Sequence, residues 1–251
     1  MPVPVPAFEA VEIINEAGSA PILLCCEHAS NHVPDGIRLG VTDADLETHI
    51  GHDIGAADVT RRLSELLDAP AVLSHCSRLV IDCNRPLASA ESIPAEVAGI
   101  PIPGNHRLPD SERQRRAAHY FEPFHASVES LLTQRDPNAT HLLVSIHSFT
   151  PRLLDEVRPW DVGVLQRRSP AAGEAMVKAF RETGVTCAAN QPYQIEDETD
   201  ATIPRHGEAQ GRSAVLIELR QDGLATQAEI EIWAQRTAAA IRAAVTGMGA
   251  R

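Results

Sequence analysis

The 251-residue chain has no excess of basic residues. Its 22 Lys and Arg stand against 34 Asp and Glu, a formal net charge of −12 with His neutral. A nucleic-acid surface needs a basic patch, and this composition gives no footprint for one. No run approaches the ~20 apolar residues of a membrane-spanning helix, so no membrane partner is expected. The opening MPVPVPAF has three prolines and no basic stretch, and it does not read as a secretory signal. Cysteine is scarce. Cys25, Cys26, Cys76, Cys83 and Cys187 make an odd count with no C-x-x-C, so no disulfide scaffold is called for. A reducing, cytoplasmic location is the expectation. There is no G-x-S-x-G, which disfavours a serine-hydrolase elbow. There is no G-x-G-x-x-G or G-x-x-x-x-G-K-S/T, which disfavours dinucleotide or nucleoside-triphosphate binding.

What is present is an alternation of short apolar runs with longer amphipathic stretches, in a chain that is 43% hydrophobic. Strands are predicted at residues 21–26, 71–74, 79–82, 141–146, 161–165 and 213–219. Helices are predicted over 42–67 with Thr42 as N-cap, 110–134, 171–183 and 225–245. This order predicts one α/β domain spanning 1–251, with a mixed, mainly parallel sheet covered by helices on both faces. Two irregular stretches, 86–109 and 189–212, read as loops over one end of the sheet.

Ligands of open α/β sheets bind beyond the carboxyl ends of the strands. Several runs deliver polar groups there: Glu27 and His28, then Asp82, Asn84 and Arg85, then His147 and Ser148, and finally Glu218 and Arg220. Neutral imidazoles at two such ends, His28 and His147, are candidate zinc ligands; each alone could equally be a strand-end residue tied to a loop. Leu46, Ile50, Asp53 and Ala57 share the spacing of one helix face, where a carboxylate must be paired or on a metal. Asp53 is therefore either a metal ligand or the partner of an arginine such as Arg78. Glu27 is the alternative third ligand. Asn84 and Arg85 form a donor pair for a substrate carboxylate, or else tie down the proline-rich loop. Glu218, within an apolar strand, should have a raised pKa suited to a general base; the alternative is an ion pair with Arg220. Ser30, Asn31, His206 and Arg220 are further candidate substrate contacts.

These residues resemble a known family, the N-formylglutamate amidohydrolases. The matching segments are Glu27-His-Ala-Ser-Asn31, His49-x-x-x-Asp53-Ile-Gly-Ala56, Ser77-Arg-Leu-Val-Ile-Asp-Cys-Asn-Arg-Pro86, Ile146-His-Ser-Phe-Thr-Pro151 and Ile217-Glu-Leu-Arg-Gln-Asp222. The resemblance spans about Pro21 to Asp222. It implies a fold related to zinc carboxypeptidases and aspartoacylase-like deacylases. It also implies zinc as cofactor, His28 and His147 on the metal, Asn84 and Arg85 on the substrate carboxylate, and Glu218 as base. The relatives carry H-x-x-E where this chain has Asn31. An amide is a poor zinc ligand, so the carboxylate is assigned to Asp53, with Glu27 second. The implied reaction is hydrolysis of N-formyl-L-glutamate to formate and L-glutamate. Two rivals are a deacylase or carboxypeptidase for another N-acyl amino acid or peptide, and a non-catalytic binder of small acids.

Overall fold

The computed structural model describes residues 9–134 and 142–249. The MPVPVPAF segment and His141, the first residue of one predicted strand, lie outside the described residues.

The centre is a seven-stranded sheet. Its order is Val11–Ile14, Ala71–Ser74, Ile22–Cys26, Leu142–Phe149, Ser213–Arg220, Val162–Leu165 and Cys187–Ala189. The first pair is antiparallel, as is the pairing of Ser213–Arg220 with Val162–Leu165. The other neighbours run parallel. The fold is thus mixed α/β with a mainly parallel sheet. Alternation along each strand feeds two cores. Ile22, Leu24 and Cys26 pack beneath the Ala56–Leu67, Pro170–Glu182 and Gln227–Gly249 helices. Leu23 and Cys25 face Phe124, Val128 and Leu132 of the Glu122–Thr133 helix. Phe124 and Phe180 are fully buried, each contributing about 1.5–3 kcal/mol of hydrophobic stabilisation. No helix among the described residues is long and apolar enough to cross a membrane.

Three segments depart from the sequence reading. The helix predicted over 42–67 is broken. Thr42 does cap a first turn, Asp43–Leu46, in a reciprocal capping box with Asp45. Regular helix resumes only at Ala56. Between them the backbone finds partners elsewhere: the Ser77 hydroxyl donates to the Gly51 carbonyl, and the Asp53 N–H donates to the His28 carbonyl at 3.0 Å. Gly55 closes the break at φ +78°, where a Cβ would also lie 2.5 Å from that of Leu224. Asp53 therefore sits on an irregular segment, not on a helix face.

Residues 79–82 are the end of a turn followed by irregular chain, not a strand. Leu79, Val80 and Ile81 are buried in a third cluster with Ile37, Ile50, Ile102 and Phe121. The helix from Asp110 to Thr133 contains a π turn at Ala117–Phe121. Pro123 has no N–H to donate to the His119 carbonyl, and the wider turn accommodates its ring.

Candidate active site

Three neighbouring parallel strands converge on one cleft. Glu27 and His28 follow the end of Ile22–Cys26. His147 lies near the end of Leu142–Phe149, and Glu218 is its register partner on Ser213–Arg220. Neighbouring residues of a parallel pair share a face, so the imidazole and the carboxyl project together. The irregular 47–55 segment adds Asp53 and the 77–82 segment adds Arg78, while Asp82 of that segment stands against His28 Nε2. The cleft has a volume of about 470 Å³, and its walls include His28, Asp53, Arg78, Arg85, His147, Tyr193 and Glu218.

Asp53 Oδ2 stands 3.3 Å from His28 Nδ1 and 2.8 Å from His147 Nδ1. One ligand atom from each of these buried residues lies within 4.8 Å of the others. Ligand atoms of a tetrahedral zinc site, with bonds of about 2.1 Å, are roughly 3–4 Å apart. The far nitrogens face carboxylates. His28 Nε2 lies 2.7 Å from Asp82 Oδ1, and His147 Nε2 lies 3.1 Å from Glu27 Oε2. The second contact is bent, an ion contact and not an aligned hydrogen bond. Carboxylates only accept, so His28 Nε2 carries the proton it gives to Asp82, and His147 Nδ1 carries one toward Asp53 Oδ2, at the position a metal would take.

The charge balance also fits a cation. Glu27, Asp53, Asp82 and Glu218 are all buried. Arg78 offsets part of this charge, at 3.3 Å from Asp53 Oδ1 and 2.8 Å from Asp82 Oδ2. Burial alone would lower the His147 pKa; the Glu27 and Asp53 carboxylates outweigh it and hold the ring protonated well above its usual range. Burial likewise opposes ionisation of Glu27, but His147 brings it down to about 2. A proton thus stands where a metal cation would. Two imidazoles, one carboxylate and an open side toward the cleft match the donor set of a catalytic zinc site.

Glu218 differs from the other carboxylates. Desolvation pushes its pKa up to about 8, and its buried Oε2 has no hydrogen-bond partner among the described residues. Arg220 does not pair with it. That guanidinium turns to Asp161 and Asp222 and to the carbonyls of Pro159 and Trp160.

The other expected contacts are placed as follows. Asn84 lines the cleft, but its amide is partly committed: Nδ2 donates to Asp200 Oδ1 at 3.1 Å, and Oδ1 accepts from Thr202 N at 3.2 Å. Arg85 lines the cleft too, while also binding Glu91 Oε2 at 3.0 Å and the Thr199 carbonyl. The pair therefore ties down the 194–202 loop. Ser30, Asn31, His206 and Arg220 are not among the cleft walls. The Ser30 hydroxyl accepts from His32 N, and Asn31 donates to Glu47. His206 is buried beside His125 and Glu129, away from the cleft walls. Glu27, the alternative ligand, lies behind the His147 ring, at Nε2 and not at Nδ1. From the sequence, Arg78 is named only as a partner for Asp53, a contact the structure shows; Asp82 is placed at a strand end without a role, and Tyr193 is not mentioned. Asp82 and Arg78 stand four residues apart inside a matching segment, which was the available signal; Tyr193 had none.

Residues 20–225 match the family model described as N-formylglutamate amidohydrolase. The crystal structure of a gene product from Agrobacterium tumefaciens is 33% identical, covers 96% of this chain and 97% of its own, and superposes with a TM-score of 0.92. That of an N-formylglutamate amidohydrolase from Ralstonia eutropha JMP134 is 19% identical, with coverage of 97% and 100% and a TM-score of 0.79, a likeness of fold. Among curated proteins no sequence matches this chain.

Proposed function

The chain belongs to the N-formylglutamate amidohydrolase family, hydrolases of amide bonds, and on that premise we propose that it is a zinc-dependent deformylase converting N-formyl-L-glutamate and water to formate and L-glutamate. The observation that carries this reading is one cleft in which His28 Nδ1, His147 Nδ1 and Asp53 Oδ2 converge beside a buried, unpartnered Glu218 carboxyl. His28, Asp53 and His147 would hold the metal. A zinc ion bound there supplies Lewis-acid polarisation of the amide carbonyl and a water acidic enough to attack near neutral pH.

The protein's own side chains do the rest. Asp82 accepts the Nε2 proton of His28, and the Glu27 carboxylate stands against Nε2 of His147, which keeps both rings in one orientation. Glu218 Oε2 accepts a proton from the attacking water as its oxygen bonds to the formyl carbon. The same oxygen returns the proton to the amide nitrogen as the C–N bond breaks. A carboxyl with a pKa of about 8 holds that proton readily between the two transfers. Arg85, also a wall of the cleft, is a cationic partner for a carboxylate of the small acidic substrate. The five cysteines are free and buried, which supports a reducing cytoplasm as the place of work.

Glu218→Gln and Asp53→Ala test the assignment together. Glu218→Gln should retain zinc and lose formate release by about 10²–10⁴-fold; full turnover would remove Glu218 as the base. Asp53→Ala should lose zinc itself, and unchanged zinc content would remove Asp53 from the ligand set.

A further inference from the structure

N-formylglutamate carries two carboxylates, whereas one Asn84 amide donor is committed to Asp200 and Arg85 is partly committed to Glu91 and Thr199. A dicarboxylic substrate needs a second cationic partner. We propose that Arg158 and Tyr193 form a second carboxylate-binding subsite of the cleft. This deepens the deformylase reading and rests on it for the identity of the substrate.

The observations are these. Arg158 is a guanidinium only 3% exposed. Its Nε is buried without a hydrogen-bond partner among the described residues, and Glu156 Oε2 stands 3.9 Å away on an exposed side chain. A buried guanidinium with a spare donor is costly unless an anion completes it. One Arg158 amino group donates to Tyr193 Oη at 2.8 Å, and Cζ stacks over the Tyr193 ring at 4.8 Å. Tyr193 is itself a cleft wall, 41% exposed. Its hydroxyl accepts from Arg158 and is left with its own O–H to donate. The phenol lines the cleft with its O–H free and the guanidinium bonded to its oxygen backs it, donor chemistry that suits a carboxylate. Arg158 and Tyr193 each interact electrostatically with Glu218.

The fold holds both residues there. Arg158 N donates to the Pro151 carbonyl at 2.9 Å. Arg220, two residues beyond Glu218, donates to the carbonyls of Pro159 and Trp160, tying the Arg158 segment to the catalytic strand. On the Tyr193 side, Gly163 is the register partner of Glu218. A Cβ on Gly163 would lie 1.7 Å from the Gln191 carbonyl oxygen, so only glycine lets the chain leading to Tyr193 approach the sheet this closely.

The test is steady-state kinetics of Tyr193→Phe, Arg158→Gln and Arg158→Lys on the zinc-loaded enzyme, with N-formyl-L-glutamate and N-formyl-L-glutamine, which keeps the α-carboxylate but has a neutral side chain. Loss of a charge-assisted bond to bound substrate predicts a KM for the glutamate compound raised about 10–100-fold in Arg158→Gln, with kcat within about threefold. Tyr193→Phe should show a smaller rise, and Arg158→Lys a partial recovery. If the rise vanishes with the glutamine compound, the subsite holds the side-chain carboxylate. If it persists, the subsite holds the α-carboxylate. KM within about twofold of the parent in Tyr193→Phe and in a folded Arg158 variant overturns the proposal, as does a fall in kcat alone. If the parent enzyme releases no formate, the deformylase reading fails by itself. The subsite is then read by calorimetric binding of glutarate: about tenfold weaker binding in the variants supports it, and equal affinity overturns it.

Discussion

Asp82 is not a cleft wall and would not touch a metal held by His28, Asp53 and His147, yet its replacement by Asn should weaken metal binding. Its Oδ1 accepts from His28 Nε2 at 2.7 Å and from Asn84 N at 2.8 Å. Its Oδ2 accepts from Arg78 at 3.2 and 2.8 Å. An asparagine retains one acceptor oxygen and presents two N–H donors on the other side. If the oxygen stays toward His28, the amide faces the Arg78 donors; if it flips, it faces the His28 and Asn84 donors. Either way two donors lose their acceptor. Partners of metal-ligating histidines are worth about 10–100-fold in metal affinity, or ~1.4–2.7 kcal/mol. Loss of charged hydrogen bonds in this buried site should also cost the metal-free protein about 2–3 kcal/mol. Burial would raise the Asp82 pKa, but the His28 and Arg78 charges hold it far below the carboxylate range, so the group lost is an anion at any working pH. Chelator competition measures the first quantity and urea unfolding of the metal-free protein the second. Zinc affinity within twofold of the parent would refute the role given to Asp82.

Gly163→Ala should force the Gln191 carbonyl away from the sheet and destabilise the protein by about 1–3 kcal/mol, with a raised KM through Tyr193; an unchanged urea midpoint and KM would show that the close approach is dispensable. Acid should weaken the fold through His125. Its Nε2 donates to the Cys83 carbonyl, and burial, helped by the charges of His206 and Arg205, pushes its pKa down to about 3. The unfolded chain takes up this proton near pH 6.5 and the folded one does not. Stability from this group is therefore present above about 6.5 and is lost toward pH 3, at up to ~1.4 kcal/mol per pH unit. Replacing His125 with Gln should flatten the slope of urea stability between pH 6 and 5; an identical slope would contradict this.

Much of the architecture was legible because fully buried strands are continuous apolar runs. The Ile22–Cys26, Leu142–Phe149 and Ser213–Arg220 strands stand out this way, and each ends on a group that reaches the cleft. The same logic misread residues 79–82, since apolar residues packed under loops look no different from a short strand. Asp53 was picked out for a wrong local reason. Its spacing from Leu46 and Ile50 imitates a helix face, whereas the backbone is broken by tertiary partners, Ser77 and His28, that no local pattern reveals. The two readings of Asp53 also prove compatible in space, since it faces both Arg78 and the histidines. Asn84 and Arg85 show the limit of motif reasoning: the residues reach the cleft wall, but contacts with Asp200, Thr202 and Thr199 decide how many donors remain. Arg158 and Tyr193 belong to no local pattern. They meet only because the chain on either side is pinned to the strand that carries Glu218.

The measurement closest to the central claim is formate release from N-formyl-L-glutamate by the zinc-loaded protein, beside an aliquot stripped with a chelator. The account predicts release from the loaded protein, none from the stripped one, and recovery when zinc is returned. Equal release from both would contradict the metal assignment, and no release from the loaded protein would contradict the substrate.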